Sequence, residues 1–148
     1  MKRRYPKQPI VGVGAVIICD GKILLEKRKG EPGRDKWTIP GGLMELGEIA
    51  EQTVIREVRE ETNLEVEDPE LIDVVNNIIA DENAKIKYHF VIVDYYVKLK
   101  GGTLEAADDA AEVKWVKFDE VENYDLTKSF REFFKRNRQR LEKLNSCP

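Results

Sequence analysis

The chain has 148 residues, 41% of them hydrophobic and 36% charged, with two cysteines and a formal net charge of −3. That length suits a single domain, 1–148, able to bury a core unaided, and no apolar run approaches the roughly 18 residues that would span a membrane. Cys19 and Cys147 lie far apart with no CxxC spacing, so neither a disulfide framework nor a zinc site is expected. The start, Met1-Lys2-Arg3-Arg4-Tyr5-Pro6, is basic but leads into no isolated apolar segment with a small-residue cleavage site, so it does not read as a secretory signal and a cytoplasmic location is expected.

Charge is unevenly spread. Residues 1–8 form a basic arm of +4, residues 126–148 sum to +5, and the body between them carries −12. An acidic body with basic ends argues against a nucleic-acid binder, whose groove would be basic at its centre, and leaves room for a site that gathers cations. Lys and Glu number 15 and 18 against three Gln, a composition that leans toward thermophilic proteins.

The apolar run Ile10 to Cys19, then Asp20-Gly21, then Ile23-Leu24-Leu25 predicts a β-hairpin, because both central positions of such a turn require φ > 0. A loop rich in turn residues, 29–36, leads to a short strand Trp37-Thr38-Ile39 that ends at Pro40-Gly41-Gly42. From Glu48 to Thr62 the period becomes helical, with Ala50, Val54 and Val58 on one stripe, and Asn63 stands where a left-handed cap would end it. Strands are predicted over Leu71–Ala80 and Ile86–Leu99, with Gly101-Gly102 as the turn back, then Val113–Val116. The tail, 126–145, reads as an amphipathic helix with Phe130, Phe133 and Phe134 inward. No serial βαβ units appear, so the expected class is α/β in the α+β sense, a mixed sheet with helices packed on it.

The helix at 48–62 carries Glu57, Glu60 and Glu61 at i, i+3 and i+4, so three carboxylates share one face. Like charges at that spacing cost roughly 0.2–0.5 kcal/mol per pair, and only Arg56 offsets them locally. An isolated Glu-rich helix is usually a solvated charged face. Here, however, Gly41-Gly42 leads directly into it, and a glycine loop beside three carboxylates can expose a carbonyl to a hard cation and admit a phosphate closely. Gly42, Glu48 and then Arg56-Glu57-Val58-Arg59-Glu60-Glu61 resemble the Nudix box of the Nudix hydrolase (MutT-like) superfamily. One position departs: Asn63 replaces the usual Gly, and Asn tolerates the same left-handed backbone.

The resemblance extends from about Pro9 to Phe118 and implies an α/β/α sandwich around a mixed sheet, hydrolysing a nucleoside diphosphate linked to another group X. It implies Mg²⁺, with Mn²⁺ as the alternative, held by Glu57, Glu60, Glu61 and the Gly41 carbonyl. Glu57 would be a ligand or the base, Arg56 would orient the cluster and Glu48 would support it. A further acidic residue is expected from a late loop, where Asp108, Asp109 and Glu112 are the candidates and Glu112 the one assigned to the metal set. Arg28, Arg34, Trp37 and Gly42 are the candidate substrate contacts, by bidentate phosphate binding, base stacking and close approach. His89 reads as a strand histidine rather than a catalyst.

Glu31-Pro32-Gly33-Arg34 and the strand around His89 resemble ADP-ribose pyrophosphatases, although the Pro usual beyond the box in those enzymes is missing from Asn77-Ile78-Ile79-Ala80. The expected partner is a small-molecule nucleotide, with no membrane and no nucleic acid; a homodimer is compatible with the sequence. The alternatives are a MutT-like (d)NTP pyrophosphohydrolase and, in another class, a non-catalytic nucleotide-binding Nudix module, whose carboxylates would be eroded.

Overall fold

The computed structural model describes residues 2–148, so Met1 of the basic arm lies outside it. Strand β1 (Ile10–Val16) passes at Ile17 into the two-residue β2 (Ile18–Cys19), which turns at Asp20-Gly21 into β3 (Lys22–Arg28). Asp20 and Gly21 have φ of 53° and 76°, as the predicted turn requires. After the 29–36 loop come β4 (Trp37–Thr38) and β5 (Gly41–Leu43). Helix α1 (Ala50–Thr62) ends on Asn63 at φ 62°, the expected left-handed cap. Then follow β6 (Leu64–Ala80), β7 (Ile86–Gly102), β8 (Ala110–Lys117), a short 3₁₀ turn (Phe118–Asn123) and α2 (Lys128–Leu141).

The strands form two sheets. One is mixed, in the order β5-β1-β7-β6, with β1 parallel to β7; the other is antiparallel and centres on β3, between β8 and β4 with β2. Period-2 alternation then sorts the side chains. Val13, Ala15, Ile17, Leu24, Tyr95 and Val97 pack against Val54 and Val58 of α1. Val16, Ile18, Ile23, Leu25 and Tyr96 pack with the Phe130, Phe133 and Phe134 stripe of α2. Helices therefore cover opposite faces, the expected sandwich with a mixed sheet. Among the described residues, no helix is long and apolar enough to cross a membrane.

Three local expectations are corrected. Gly41-Gly42 is not a loop: it belongs to β5, paired with β1 at Gly14↔Gly41 and Val13↔Gly42. Gly101-Gly102 is not a turn, because both residues extend β7 and pair with Glu65 and Leu64, so β6 begins directly after the Asn63 cap rather than at Leu71. Gly102, at φ 95°, lies so close to Asn63 O and Leu64 Cα that a Cβ would not fit.

The third correction concerns the cysteines, which form a Cys19–Cys147 disulfide with a Cα–Cα separation of 5.2 Å. After α2 the chain turns back along β2. Ser146 Oγ accepts from Ile18 N at 2.9 Å and Ser146 O accepts from Leu99 N at 2.7 Å, bringing Cys147 to Cys19. A sequence separation of 128 residues says nothing about distance once both ends pack on one sheet. Long loops give crosslinks their largest effect on the unfolded chain. Cys147→Ser is expected to cost about 2–5 kcal/mol and to lower Tm by about 10 °C. Thermal melts of wild type with and without reductant check this, and equal Tm values would refute it.

Candidate active site

Glu48, just before α1, receives Arg56 Nε on Oε2 at 2.7 Å and Arg56 Nη2 on Oε1 at 2.9 Å, and also accepts from Thr53 Oγ1 at 2.8 Å and Glu45 N at 3.0 Å. Arg56, led by its bonds to this carboxylate, holds the Glu48 pKa down at about 2. The same guanidinium donates through Nη1 to Glu57 at 2.7 Å and Glu60 at 3.2 Å, and through Nη2 to Leu43 O at 3.1 Å. One arginine thus ties three carboxylates and the end of β5 into a single unit. The Glu57 carboxyl lies over Gly42, where a Cβ would collide with it. Close approach of a carboxylate is what glycine supplies there.

Glu61 is buried, 2% exposed, and its Oε1 accepts from Gly41 N at 2.9 Å. Behind it stands Glu26 of β3, also buried, its carboxyl beside that of Glu61. Burial raises the pKa of both Glu61 and Glu26, with their mutual repulsion adding to the shift of Glu26; burial also raises Glu57. Glu26 Oε1 is the buried side-chain oxygen left without a partner among the described residues.

These groups open into one cleft of about 730 Å³ that holds Glu26, Glu57, Glu61, Asp109, Gly41, Gly42 and Arg28. Its floor continues across the mixed sheet toward the start of α2. Of the residues expected in the metal set, two do not line this cleft. Glu112 lies in β8 opposite Lys27, is 61% exposed and pairs with that lysine at 3.7 Å, whereas Asp109 of the preceding loop lines the cleft and adds to the upward shift of Glu57 and Glu61. Glu60 is 43% exposed and lies on the rim of the Arg56 cluster.

Arg28 reaches the cleft, with its Nε on Pro32 O at 2.8 Å. Arg34 pairs instead with Glu31 at 3.7 Å on the surface, and Trp37 packs edge-on against Tyr124, with ring centroids 5.2 Å apart. Among the described residues, no group of three or more ligands stands in ion-holding geometry; Glu57 and Glu60 are hydrogen-bonded to Arg56. The donor set still fits a hard divalent cation: the side-chain donors are carboxylates, Glu26 and Glu61 are buried, and one buried oxygen has no partner.

Sequence reading missed Glu26 and Asp94. Each leaves the same signal, a carboxylate interrupting an apolar strand, in Ile23-Leu24-Leu25-Glu26 and in Val91-Ile92-Val93-Asp94.

A mixed-sheet sandwich with a carboxylate cluster between a glycine strand and a helix face is the Nudix architecture, and comparison with known proteins agrees. The chain belongs to the NUDIX domain family, whose model matches residues 8–136. It is 36% identical over 114 residues to an ADP-ribose pyrophosphatase of Methanocaldococcus jannaschii; that match covers 77% of this chain and 65% of the relative, just under two thirds of its length. The crystal structure of a MutT NUDIX hydrolase from Burkholderia pseudomallei superposes with a TM-score of 0.74 at 32% identity, covering 87% of this chain and 98% of that one. The NUDIX domain of Shewanella oneidensis NrtR, solved in complex with ADP ribose, gives a TM-score of 0.75 at 26% identity, covering 92% and 90%.

Proposed function

We propose that this chain is a divalent-metal-dependent pyrophosphohydrolase acting on a nucleoside diphosphate linked to X, with ADP-ribose or a related nucleotide sugar as substrate. The observation that carries it is the pair of buried carboxylates Glu26 and Glu61 with the half-buried Glu57, facing a cleft beside Gly41 and Gly42, with one Glu26 oxygen unpartnered. The ADP-ribose pyrophosphatase likeness and the ADP-ribose-bound neighbour support the choice of X. An intact Glu48, Arg56, Glu57, Glu60 and Glu61 set disfavours a non-catalytic module.

Glu57, Glu60, Glu61 and the Gly41 carbonyl are proposed to hold Mg²⁺ or Mn²⁺, with Asp109 from the late loop in the place sequence gave to Glu112. Bound there, the metal would neutralise the pyrophosphate and lower the pKa of the attacking water. The chain's own groups do the remainder. Arg56 fixes Glu48 and Glu57 relative to β5, so that Glu57 is positioned as base or ligand. Gly42 lets that carboxylate, and a phosphate beyond it, approach the backbone. Arg28 offers a bidentate donor to a phosphate at the cleft edge. Phosphoryl transfer asks chiefly for such positioning and charge stabilisation.

A cytoplasmic location belongs to the same proposal. Disulfides are abundant inside hyperthermophiles, which fits both the Cys19–Cys147 bond and the Lys/Glu-rich composition.

The test is incubation with Mg²⁺ and ADP-ribose, NADH, dinucleoside polyphosphates and (d)NTPs, with products resolved by chromatography. AMP plus ribose 5-phosphate from ADP-ribose is expected. Nucleoside monophosphate plus pyrophosphate from (d)NTPs, with ADP-ribose untouched, would replace this reading by the MutT-like one.

A further inference from the structure

The cleft floor beyond the carboxylates is one face of the mixed sheet. Parallel pairing sets Gly12 beside Ile92 and Gly14 beside Asp94, and antiparallel pairing sets Val75 beside Ile92 and Asn77 beside Phe90. Two glycines on β1 remove side chains from this face and leave a depression walled by Ile92, Phe90 and Val75, with Phe130 of α2 also lining it. Asp94 sits in that depression, 3% exposed. Its Oδ1 lies directly over Gly14, where a Cβ would collide with it, and the same built Cβ would meet Ile39 Cδ1 at 2.9 Å. No protein group among the described residues hydrogen-bonds its carboxyl. A carboxyl that lines a cleft with no protein partner, and whose oxygens are not sealed off as Glu26 Oε1 is, has an evident use for a ligand's polar edge.

We propose that Asp94 is a specificity-determining residue, whose side chain at the floor of this apolar depression receives the amino edge of a purine base, accepting from the exocyclic amine and donating to the neighbouring ring nitrogen. The inference rests on the nucleotide reading above and goes further by assigning the base.

The surroundings fix the protonation state this needs. Burial pushes the Asp94 pKa up to about 8. The charged groups that face it are Asp73 of β6, whose charge contributes to that rise, and Arg136 of α2, which opposes it; Arg136 is itself bound to Asp73 at 2.8 Å. From β1 and the β4–β5 turn its neighbours are Gly14 and Ile39, neither of which carries charge. A neutral carboxyl presents one donor and one acceptor side by side, as an Asn side chain does, and Asn pairs bidentately with adenine through its amine and adjacent ring nitrogen. Flat apolar walls then suit the faces of the ring.

The experiment is calorimetric titration of the full chain with AMP and with purine riboside 5′-monophosphate, which lacks the amine, for wild type, Asp94→Asn and Asp94→Leu. Wild type is expected to favour AMP by about fivefold or more. Asp94→Asn, which keeps one donor and one acceptor, should bind AMP within about threefold of wild type. Asp94→Leu should bind AMP at least about tenfold more weakly and lose the preference between the two nucleotides. Equal wild-type affinity for both nucleotides, no wild-type binding of AMP, or unaltered AMP affinity in Asp94→Leu would each overturn the assignment. The first two of these need no variant to fold. Because binding is read without turnover, the arms separate two failures. Amine-dependent AMP binding with no hydrolysis of ADP-ribose would leave the base site standing and remove the proposed reaction.

Discussion

Glu61→Gln is expected to lower kcat on the preferred substrate by on the order of 10³-fold or more while leaving the fold intact, since removing a metal-binding charge from a phosphoryl-transfer site forfeits several kcal/mol of transition-state stabilisation. Glutamine keeps the volume and the oxygen that accepts from Gly41 N, so β5 and α1 stay in register. What it removes is a charge held in a buried site, and this gives the variant a second signature. The folded pKa of Glu61 is raised from 4.5 to about 8, chiefly by burial. A raised carboxyl pKa means that the metal-free folded state loses stability as pH climbs through that interval, because the unfolded chain releases its proton first. Metal-free Glu61→Gln should therefore match wild type near pH 4 and melt higher at pH 8. Adding Mg²⁺ reverses the order: a cation that binds only the folded wild type raises its Tm by mass action, and the variant should respond far less. Melting curves at two pH values, with and without Mg²⁺, check this apart from any activity. A full Mg²⁺ shift in the variant would sink the assignment of Glu61 as a ligand.

Much of this site was legible in the sequence because its residues are local. Glu48, Arg56, Glu57, Glu60 and Glu61 lie within fourteen positions, and helical spacing alone puts the last three on one face. The Asn63 cap and the Asp20-Gly21 turn were equally readable, since each depends on one residue's tolerance of positive φ. The remainder is set by pairing between distant strands. Gly41-Gly42 reads as a loop until β1 is seen to supply its partner, and Gly101-Gly102 reads as a turn until β6 does. Asp109 could be separated from Glu112 only once Glu112 was found paired with Lys27. Glu26 and Asp94 acquire meaning from what they face, namely Glu61 in one case and a bare glycine in the other. The disulfide was missed for the same reason: spacing measures the loop, whereas the return of the tail along β2 determines the distance.

Arg56→Met is the second large effect, and it should separate positioning from ligation. Glu57, whose side chain is 12% exposed, would lose its closest counter-ion, and Glu48 would lose both guanidinium bonds. Breaking a fully buried pair costs about 3–5 kcal/mol, and partial exposure of this one brings the expected loss to about 2–3 kcal/mol at pH 7. The sign with pH is opposite to that of Glu61. Arg56 holds the folded Glu48 pKa at about 2, below its ordinary 4.5, so the stabilisation is complete above pH 4.5 and is lost as pH falls toward 2. The Tm gap between wild type and Arg56→Met should accordingly be widest near neutrality and narrow in acid. For turnover, a carboxylate displaced by about 1 Å costs on the order of 100-fold, and that is the expected fall in kcat. Arg56→Lys keeps a charge without the planar fork and should fall between wild type and Arg56→Met. Unlike Glu61→Gln, Arg56→Met retains every carboxylate and removes the cation that competes for Glu57 and Glu60. Its Mg²⁺-dependent rise in Tm should therefore persist, and be larger than in wild type. A low kcat with an enhanced metal response would identify Arg56 as the residue that aims the cluster, whereas loss of both would place it among the groups the metal itself requires.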